Sequence, residues 1–318
     1  MHTFLVSLWH QVSIMAKNLL NKYVWLVETI YKAKRISFED ICKRWLDNNM
    51  SEGKPMSIRT FHKWRIAIEE MFGLIIENEH GGQYRYYIEN EEEITHNGLR
   101  SWIYNSFSVS NTLANSQSIK NRIILEHVPS GQYFLQSIIE AMKENRVLNM
   151  TYHSYWKDEE NIFDALPYCV KLYRQRWYMV ALNSYHKEKG PRIYSLDRIK
   201  YLHTKEQTFE MPKDWSAQEY FKGCFGIIVE QDVDKEHIKL KVSARQANYI
   251  RDLKLHGSQN EIERNDEYSI FDLFLRPAFD FQQEILWNGE EMEVLEPLWL
   301  RNEMATKIKR MWDKYNEK

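Results

Sequence analysis

Residues 176–199 read RWYMVALNSYHKEKGPRIYSLDRI, two runs rich in apolar residues separated by a polar turn. Upstream, Val147–His153 and Ala165–Tyr173 alternate between apolar and polar residues, and Ile199–His203 repeats the pattern downstream. Alternation with a period of two is typical of strands that bury one face. Five short strands joined by polar turns predict a small curled sheet or barrel in the second half of the chain.

Basic and aromatic residues accumulate around these strands. Arg192 and Arg198 lie six positions apart, an even step that would place both on one face of a continuous strand. A turn between two strands would relax that rule but could still bring the two side chains together. Further cations and rings nearby are Lys171, Arg174, Arg176, Tyr178, Tyr194 and Tyr201. Guanidinium groups bind phosphate and rings stack on bases, so the group favours an anionic ligand such as a nucleotide. The alternatives are core packing for Trp177 and Tyr178, and an ion pair of Arg198 with Asp197 or another carboxylate.

The N-terminal third begins with three helical patterns. Apolar residues recur at helical spacing over Tyr23–Tyr31 and over Phe38–Leu46, and Ser37 is the candidate N-cap of the second helix. Ser57 is the candidate N-cap of a third helix, which we expect to end at Gly73.

A β-hairpin is predicted directly after these helices. Two runs with strand-like patterns, residues 74–78 and 83–88, flank the pair Gly81-Gly82. Three helices followed by a hairpin are the order of a winged helix-turn-helix domain.

The third helix carries basic residues on one side. Its predicted apolar stripe is Ile58, Phe61, Trp64 or Ile66, Ile68 and Met71–Phe72. Between Lys54 and Arg65 there are four lysines and arginines and no acid. In a winged helix this helix enters the major groove and the hairpin lies along the DNA backbone. The predicted DNA-binding residues are Ser57, Arg59, Thr60, His62, Lys63 and Arg85. The alternative is a winged helix used for protein contacts or dimerisation.

A helical connector is predicted after the hairpin. Glu91-Glu92-Glu93 marks a boundary, and Leu99–Phe107 and Ile119–Val128 have helical patterns on either side of the polar stretch Ser106–Ser118. We interpret residues 91–125 as a linker. The alternative is that they belong to the core of the second domain.

The last hundred residues alternate between strand and helix patterns. The segments in order are His237–Ser243, Ala244–Leu255, Glu261–Asn265, Tyr268–Arg276, Phe279–Trp287 and Met292–Leu295. Their β-α-β-β-α-β order is that of a ferredoxin-like domain. A final helix over Leu300–Tyr315 carries Met304, Ile308, Met311, Trp312 and Tyr315 at helical spacing.

These segments resemble the WYL family of bacterial transcription regulators. The matching residues are Leu166-Pro167-Tyr168, Arg176–Ala181 and Arg192–Ile199. The strings Trp287-Asn288-Gly289, Val294–Pro297 and Leu300-Arg301 resemble the C-terminal extension that accompanies the WYL domain. The resemblance implies an Sm-like five-stranded β-barrel, a basic pocket for a nucleotide or nucleic-acid effector, and dimer contacts through the extension.

The resemblance also implies which residues bind the effector. Tyr152, Tyr178, Arg192 and Arg198 match pocket positions of the family, and Ser195 stands where the family usually has an arginine. A second arginine that often precedes the proline is missing near Asp164. Because two bidentate phosphate donors are lost, we expect an effector that differs, is less anionic or binds more weakly. The predicted effector-binding set is Tyr152, Tyr178, Arg192, Ser195 and Arg198.

Composition excludes several classes of protein. The 318 residues have a net charge of −2, so the chain is not a nucleic-acid-binding polycation. The three cysteines are scattered, which predicts neither a metal site nor disulfides and suits a cytoplasmic protein. No phosphate-binding loop, nucleophile elbow or zinc-protease motif occurs, so we expect no enzyme and no cofactor. No apolar run reaches the roughly 20 residues of a membrane helix.

These observations predict an α+β multidomain protein. Its parts are a disordered tail or misassigned start at 1–14, a winged helix-turn-helix at 15–90, a helical linker at 91–125, an Sm-like WYL sensor at 126–212 and a ferredoxin-like extension at 213–318. The predicted function is a ligand-responsive, homodimeric transcription regulator whose partners are double-stranded DNA and a nucleotide or single-stranded nucleic-acid effector. The alternatives are a nucleic-acid-sensing accessory protein of a defence system and a protein-interaction module without DNA binding.

Overall fold

The computed structural model describes residues 19–79, 84–95, 98–115, 121–124, 131–155, 159–230 and 232–316. They belong to two compact units, residues 1–125 and 126–318. The first unit is largely helical and the second is rich in β-sheet. The predicted tail at 1–14 and the Gly81-Gly82 turn lie outside the described residues. Within the described ranges, no helix has the length and apolarity needed to cross a bilayer.

Three helices open the N-terminal unit, and their ends follow the predicted caps. They are α1 (19–33), α2 (Phe38–Leu46) and α3 (Ile58–Phe72). The Ser37 hydroxyl accepts a hydrogen bond from the backbone N–H of Asp40, and the Ser57 hydroxyl accepts one from that of Thr60, both at 3.1 Å. Gly73 ends α3 in the left-handed conformation with φ of 70°. These caps satisfy backbone groups that a helix end leaves unpaired.

A small antiparallel sheet follows the helices. Its strands are β1 (Ile36–Ser37), β2 (Ile76–Asn78) and β3 (Arg85–Ile88), in the order β1-β3-β2. The strands β2 and β3 pair as the predicted hairpin, with Ile76 opposite Ile88. The short strand β1 adds a third strand that the sequence pattern did not predict.

The core of this unit selects one face of α3. Buried Phe61, Trp64, Ile68 and Phe72 recur every three or four residues, so they share one side of the helix. The expectation that Ile58, Ile66 and Met71 belong to the same stripe was wrong, because they are 47%, 59% and 43% exposed. The choice between Trp64 and Ile66 was resolved by edge-to-face packing of Trp64 on Trp45, with ring centroids 5.3 Å apart.

Two further helices complete the N-terminal unit, α4 (Glu92–Thr95) and α5 (Leu99–Asn115). We expected the polar stretch from Ser106 onward to interrupt the helix. That expectation was wrong as far as residue 115, because α5 continues through the stretch. Ile94 and Tyr104 are buried in the core formed by α1, α2 and α3, so these helices pack on the N-terminal core. Of the helix expected over 119–128, only residues 121–124 are described, and they are not α-helical.

The second unit contains a five-stranded antiparallel sheet. Helix α6 (Gln132–Lys143) precedes the strands β4 (Arg146–His153), β5 (Glu160–Tyr173), β6 (Arg176–Asn183), β7 (Arg192–Ser195) and β8 (Ile199–Thr208). The strand order is β7-β6-β5-β4-β8, and no pairing among the described residues closes the sheet between β7 and β8. The five predicted strands are therefore present. Ile138 and Ala141 of α6 are buried in the core of the sheet.

A four-stranded antiparallel sheet completes this unit. After α7 (Ala217–Tyr220) come β9 (Glu236–Ser243), α8 (Ala244–Asp252), β10 (Asn260–Arg264), β11 (Tyr268–Leu275), α9 (Phe279–Asn288), β12 (Met292–Glu296) and α10 (Leu298–Asn316). The strand order is β10-β11-β9-β12. The three long helices contribute residues to one core with the apolar side of the sheet, for example Ile250, Phe281 and Leu300. Met304 of α10 is also buried, whereas the later apolar residues of that helix are exposed.

Candidate effector cavity and nucleic-acid interface

A cavity of about 700 Å³ lies in the second unit, beside the five-stranded sheet. All five residues predicted to bind an effector contribute to its wall: Tyr152, Tyr178, Arg192, Ser195 and Arg198. Sequence reasoning did not include the remaining wall residues, among them Lys189, Pro191, Tyr220 and residues of the segment 227–233. The structure therefore brings the predicted set together and adds a second wall.

Arg192 and Arg198 reach the cavity for a reason other than strand alternation. Arg192 begins β7, but Arg198 ends a short 3-10 helix, Leu196–Arg198, that separates β7 from β8. The expectation that an even spacing would place them on one face of a strand therefore does not apply. The 3-10 turn, rather than strand alternation, brings the second guanidinium to the cavity that Arg192 also lines.

The ion pair between Arg198 and Asp197, the alternative to a cavity role for Arg198, is not formed. Asp197 instead accepts hydrogen bonds from Arg176 and from the hydroxyl of Ser195. Burial acts to raise the pKa of Asp197, but these hydrogen bonds outweigh it and hold the pKa below its ordinary value. Arg198 lies 4.1 Å from the ring centroid of Tyr155, and its buried Nε has no hydrogen-bond partner among the described residues.

The other nearby cations do not line the cavity, contrary to expectation. Arg176 is bound to Asp197, and Arg174 pairs with Glu284 of α9. Lys171 donates a hydrogen bond to the carbonyl oxygen of Gly226 at 2.6 Å, and burial lowers its pKa. Lys171 and Arg174 therefore connect the five-stranded sheet to the C-terminal region, and Arg176 pairs within the region of the sheet itself. The three do not form one basic cluster with Arg192.

The tyrosines divide into cavity and non-cavity residues. Tyr152 accepts a hydrogen bond from the backbone N–H of Ser195 at 3.2 Å, and Tyr220 donates one to the carbonyl of Pro191 at 3.0 Å. Burial raises the pKa of Tyr220 to about 12, so its hydroxyl stays protonated at neutral pH. Tyr194 is buried in the core, where burial raises its pKa to about 12, and Tyr201 is exposed on β8; neither lines the cavity.

The second wall is a connecting segment, and we name its described residues between 226 and 233 the strap. Two backbone N–H groups of the strap, those of Ile227 and Ile228, donate to one carboxylate oxygen of Asp280 at 3.0 and 3.2 Å. At the other end, Arg276 donates to the carbonyl of Val233 at 3.0 Å. The strap is thus held at both ends by the four-stranded region while its middle lines the cavity.

One sequence signal pointed to the strap. Ile227-Ile228-Val229 is a short apolar run that lies outside every predicted strand and is followed at once by Glu230. An apolar run without a secondary-structure assignment indicates packing against another element, but it does not say which one. Only the tertiary contacts with Asp280 and Arg276 place it on the cavity.

A second candidate site is the polar face of α3. Arg59, His62 and Lys63 are exposed, and their spacing of three and four residues places them on one side of the helix. None of the three forms an ion pair with a described residue, and no acid occurs between residues 54 and 68. The buried face with Phe61 and Trp64 is opposite, so the basic side chains are directed away from the core.

The other predicted DNA-binding residues have different surroundings. Ser57 is exposed and Thr60 half-buried, and their hydroxyls are 2.9 Å apart as part of the N-cap. Arg85 is exposed at the start of β3. Arg65, which we expected on the basic face, instead donates to the carbonyl of Ile76 and is half-buried. The helix therefore brings Arg59, His62 and Lys63 together but not Arg65.

The described part of the chain holds no group of three or more His, Cys, Asp or Glu side chains placed to bind a metal ion. Cys42, Cys169 and Cys224 are free thiols. Burial raises the pKa of Cys169 to about 11, which disfavours the reactive thiolate at neutral pH.

Comparison with known families finds two domain matches. A WYL domain model matches residues 133–204, which include most of α6, the strands β4 to β7 and the first part of β8. A WCX domain model matches residues 234–312, which include the four-stranded sheet and most of α10. No curated protein sequence gives a significant match.

Two solved structures are similar at low sequence identity. Proteasome accessory factor B/C (PafBC) of Arthrobacter aurescens is 15% identical with a TM-score of 0.37, and the match covers 95% of this chain and 47% of that one. The chain thus spans about half the length of that relative. A CRISPR Cas-related protein is 11% identical with a TM-score of 0.39, and the match covers 82% of this chain and 74% of that one.

Proposed function

We propose that this chain, which belongs to the family of WYL domain-containing proteins, is a ligand-responsive transcription regulator that binds DNA through its N-terminal unit. The observation that carries the DNA-binding part is the exposed face of the first half of α3, which presents Arg59, His62 and Lys63 and contains no acid before Glu69. Basic side chains on one face of a helix are the usual means of binding phosphate and base edges in the major groove.

The finer fold assignment belongs to the same proposal. The order of three helices and a hairpin supports a winged helix-turn-helix, in which α3 is the recognition helix. The strand order β7-β6-β5-β4-β8 supports an Sm-like barrel that stays open between its edge strands. The spatial order β10-β11-β9-β12 supports a ferredoxin-like extension, as do the helices that follow the first and third strands along the chain, β9 and β11.

The effector part of the proposal rests on the cavity. A volume of about 700 Å³ lies within the roughly 300–1,000 Å³ of typical small-molecule sites. Arg192, Arg198 and Lys189 offer charge to phosphate, and Tyr152 and Tyr178 offer aromatic surface. We therefore propose a nucleotide or a short single-stranded nucleic acid as the effector. No catalytic step is assigned to the protein.

The proposal includes a homodimer. Four apolar residues near the end of α10 are exposed at the spacing of one helix face: Ile308, Met311, Trp312 and Tyr315. Contiguous exposed apolar surface on a helix favours association with another protein, and a twofold contact would use the same surface on both copies. A dimer places two copies of α3 on two half-sites, and the effector would shift the population of arrangements that fit them.

An electrophoretic mobility shift with duplex DNA from the gene's own upstream region tests DNA binding. We expect sequence-specific binding that weakens with salt. The double variant Arg59→Ala plus Lys63→Ala should bind roughly tenfold or more weakly and reduce the salt slope by about 2. The charge-matched control is Lys143→Ala plus Lys200→Ala, which removes two exposed cations from the second unit outside α10.

Three results would overturn this function. Unchanged affinity of the α3 variant, with the control also unchanged, would remove α3 as the recognition helix. Binding to single strands but to no duplex would indicate the nucleic-acid-sensing accessory role instead, and no nucleic-acid binding at all would indicate a protein-interaction module.

A further inference from the structure

We propose that the cavity recognises a guanine nucleotide, with the phosphate held by its basic side chains and the base read by a carboxylate of the strap. This inference rests on the proposed function, in which the cavity binds a nucleotide-type effector. It goes further by naming the base and the residue that selects it, Glu230.

The cavity contains charges of both signs that do not neutralise each other. Lys189, Arg192 and Arg198 line it together with Glu230 and Asp232. None of these five forms an ion pair with a described residue, whereas Arg174 and Arg176 just outside the cavity are both paired. Oppositely charged groups that line one cavity without pairing with each other are both available to a ligand. A ligand that carries an anionic group and a group that donates hydrogen bonds would satisfy both.

This arrangement disfavours a purely anionic ligand. Glu230 is half-buried, so a phosphate or polyphosphate filling the cavity would leave its carboxylate desolvated and without a donor. An unsatisfied charged group of this kind opposes binding. The ligand should therefore carry an anionic group for Arg192 and Arg198 and, at its other end, a group that donates hydrogen bonds.

Aromatic residues define what lies between the two ends. The hydroxyls of Tyr152 and Tyr220 each make one hydrogen bond to the backbone, which holds both residues in place on the cavity wall. Tyr178 adds a third ring to the wall. Rings of this kind suit stacking or edge contact with a flat heterocycle.

The donor requirement selects guanine among the common bases. Guanine presents N1–H and the 2-amino group side by side, and the two oxygens of one carboxylate can accept both hydrogen bonds. Adenine has a single amino group beside an acceptor nitrogen, and that nitrogen would face the carboxylate unfavourably. Cytosine offers only one amino group as a donor. A site built to satisfy donors discriminates strongly against ligands that lack them.

Isothermal titration calorimetry of the full chain with GMP, IMP, AMP and CMP tests the inference. We expect GMP to bind at least tenfold more tightly than AMP or CMP, and IMP, which lacks the 2-amino group, to fall between GMP and AMP. Glu230→Gln should lower GMP affinity at least tenfold and leave AMP affinity unchanged or improved, because an amide can donate to the acceptor of adenine. The control is Asp234→Asn, an exposed acid near the strap that does not line the cavity.

The outcomes separate this inference from the proposed function. If all four nucleotides bind equally, or if Glu230→Gln leaves the GMP preference intact, guanine recognition by the strap is refuted while a nucleotide-binding cavity stands. If none binds to the wild type, both the inference and the nucleotide effector are refuted. Melting curves that match between wild type and variants exclude misfolding as the cause of lost binding.

Discussion

Arg198 differs from Arg174 and Arg176, because its guanidinium has no carboxylate partner among the described residues. Arg176 sits within the same fold region but is bound to Asp197, and Arg174 is bound to Glu284. Asp197 therefore neutralises Arg176 and leaves the adjacent Arg198 for the cavity. From the sequence alone, Asp197 and Arg198 were adjacent opposite charges, so a pair between them was a reasonable alternative. Asp197 pairs with Arg176 of β6, which is distant in sequence, and not with its neighbour Arg198.

Loss of the two cavity arginines should abolish the effector response. We expect Arg192→Ala plus Arg198→Ala to weaken binding of a mixture of the four nucleoside monophosphates roughly 100-fold, since each charged hydrogen bond contributes about 1.5–3 kcal/mol. Duplex DNA affinity without nucleotide should stay at the wild-type level. Calorimetry and mobility shifts measure the two properties. Lys143→Ala plus Lys200→Ala, two exposed cations outside the cavity, is the control; equal nucleotide binding in both double variants would place the effector site elsewhere.

Glu261 gives a pH-dependent contribution to stability. Arg251 donates two hydrogen bonds to its carboxylate at 2.7 and 2.8 Å, and this pairing lowers the pKa of Glu261 from 4.5 to about 2. Because the pKa is lower in the folded state, the stabilisation is complete above pH 4.5 and is lost as the pH falls toward 2.

The variant Glu261→Gln should therefore unfold more easily at neutral pH, by about 1 kcal/mol. Its stability should also change less than that of the wild type between pH 4.5 and pH 2. Denaturant unfolding at a series of pH values measures both effects. Glu290→Gln, an exposed acid on the turn before β12, should reproduce the wild-type curve. Parallel curves for wild type and Glu261→Gln would contradict the role of the Arg251 pair.

At the scale of secondary-structure elements, the sequence predicted those helix and strand ends that depend on neighbouring residues. The Ser37 and Ser57 caps and the Gly73 stop are local, and all three are present. Strand β5 extends five residues further toward its N-terminus than predicted, to Glu160. Its added part contains buried Asp164, which accepts hydrogen bonds from Asn149 and Lys205. A buried acid breaks the apolar alternation, so the pattern alone placed the start of the strand too late.

The limits of pattern are clearest where an element depends on a distant partner. Burial of Trp64 instead of Ile66 depends on Trp45, which lies on a different helix. The strap depends on Asp280 and Arg276, more than forty residues along the chain. Periodicity alone could therefore predict neither the second wall of the cavity nor the buried face of α3. The family resemblance did imply five residues that the structure brings together at the cavity.

The strap leaves no space at Gly226. A β-carbon there would lie 2.6 Å from Cζ of Tyr173 and 2.7 Å from a carboxylate oxygen of Asp280, the same oxygen that accepts from the strap. We expect Gly226→Ala to destabilise the second unit by about 1–3 kcal/mol, the usual effect of overpacking. Thermal unfolding measures the effect. Gly257→Ala is the matched control, because nothing lies within 4 Å of its added β-carbon; equal melting shifts for both variants would show that the strap is not tightly packed.

At the scale of the whole molecule, the two units carry separate proposed roles. The N-terminal unit offers the basic face of α3, and the second unit holds the cavity and α10. Coupling between the proposed functions requires that the effector bind one arrangement of the protein better than another, since a ligand with equal affinity for both shifts nothing. A homodimer supplies such arrangements, because the spacing of its two DNA-binding units determines which half-sites it fits.

The exposed face of α10 should therefore control the oligomeric state. The rings and chains of Ile308, Met311, Trp312 and Tyr315 would be buried against a second copy, and a charge at Trp312 would meet its symmetry mate in a twofold contact. We expect the wild type to sediment at twice the monomer mass of 38.5 kDa and Trp312→Glu to sediment as a monomer. Tyr249→Glu, which adds the same charge at an exposed aromatic residue of α8, should remain dimeric.

The monomeric variant Trp312→Glu should also lose most of its affinity for DNA with two half-sites while keeping weak affinity for DNA with one half-site. A wild type that sediments as a monomer, or a Trp312→Glu variant that stays dimeric, would show that α10 does not join two copies.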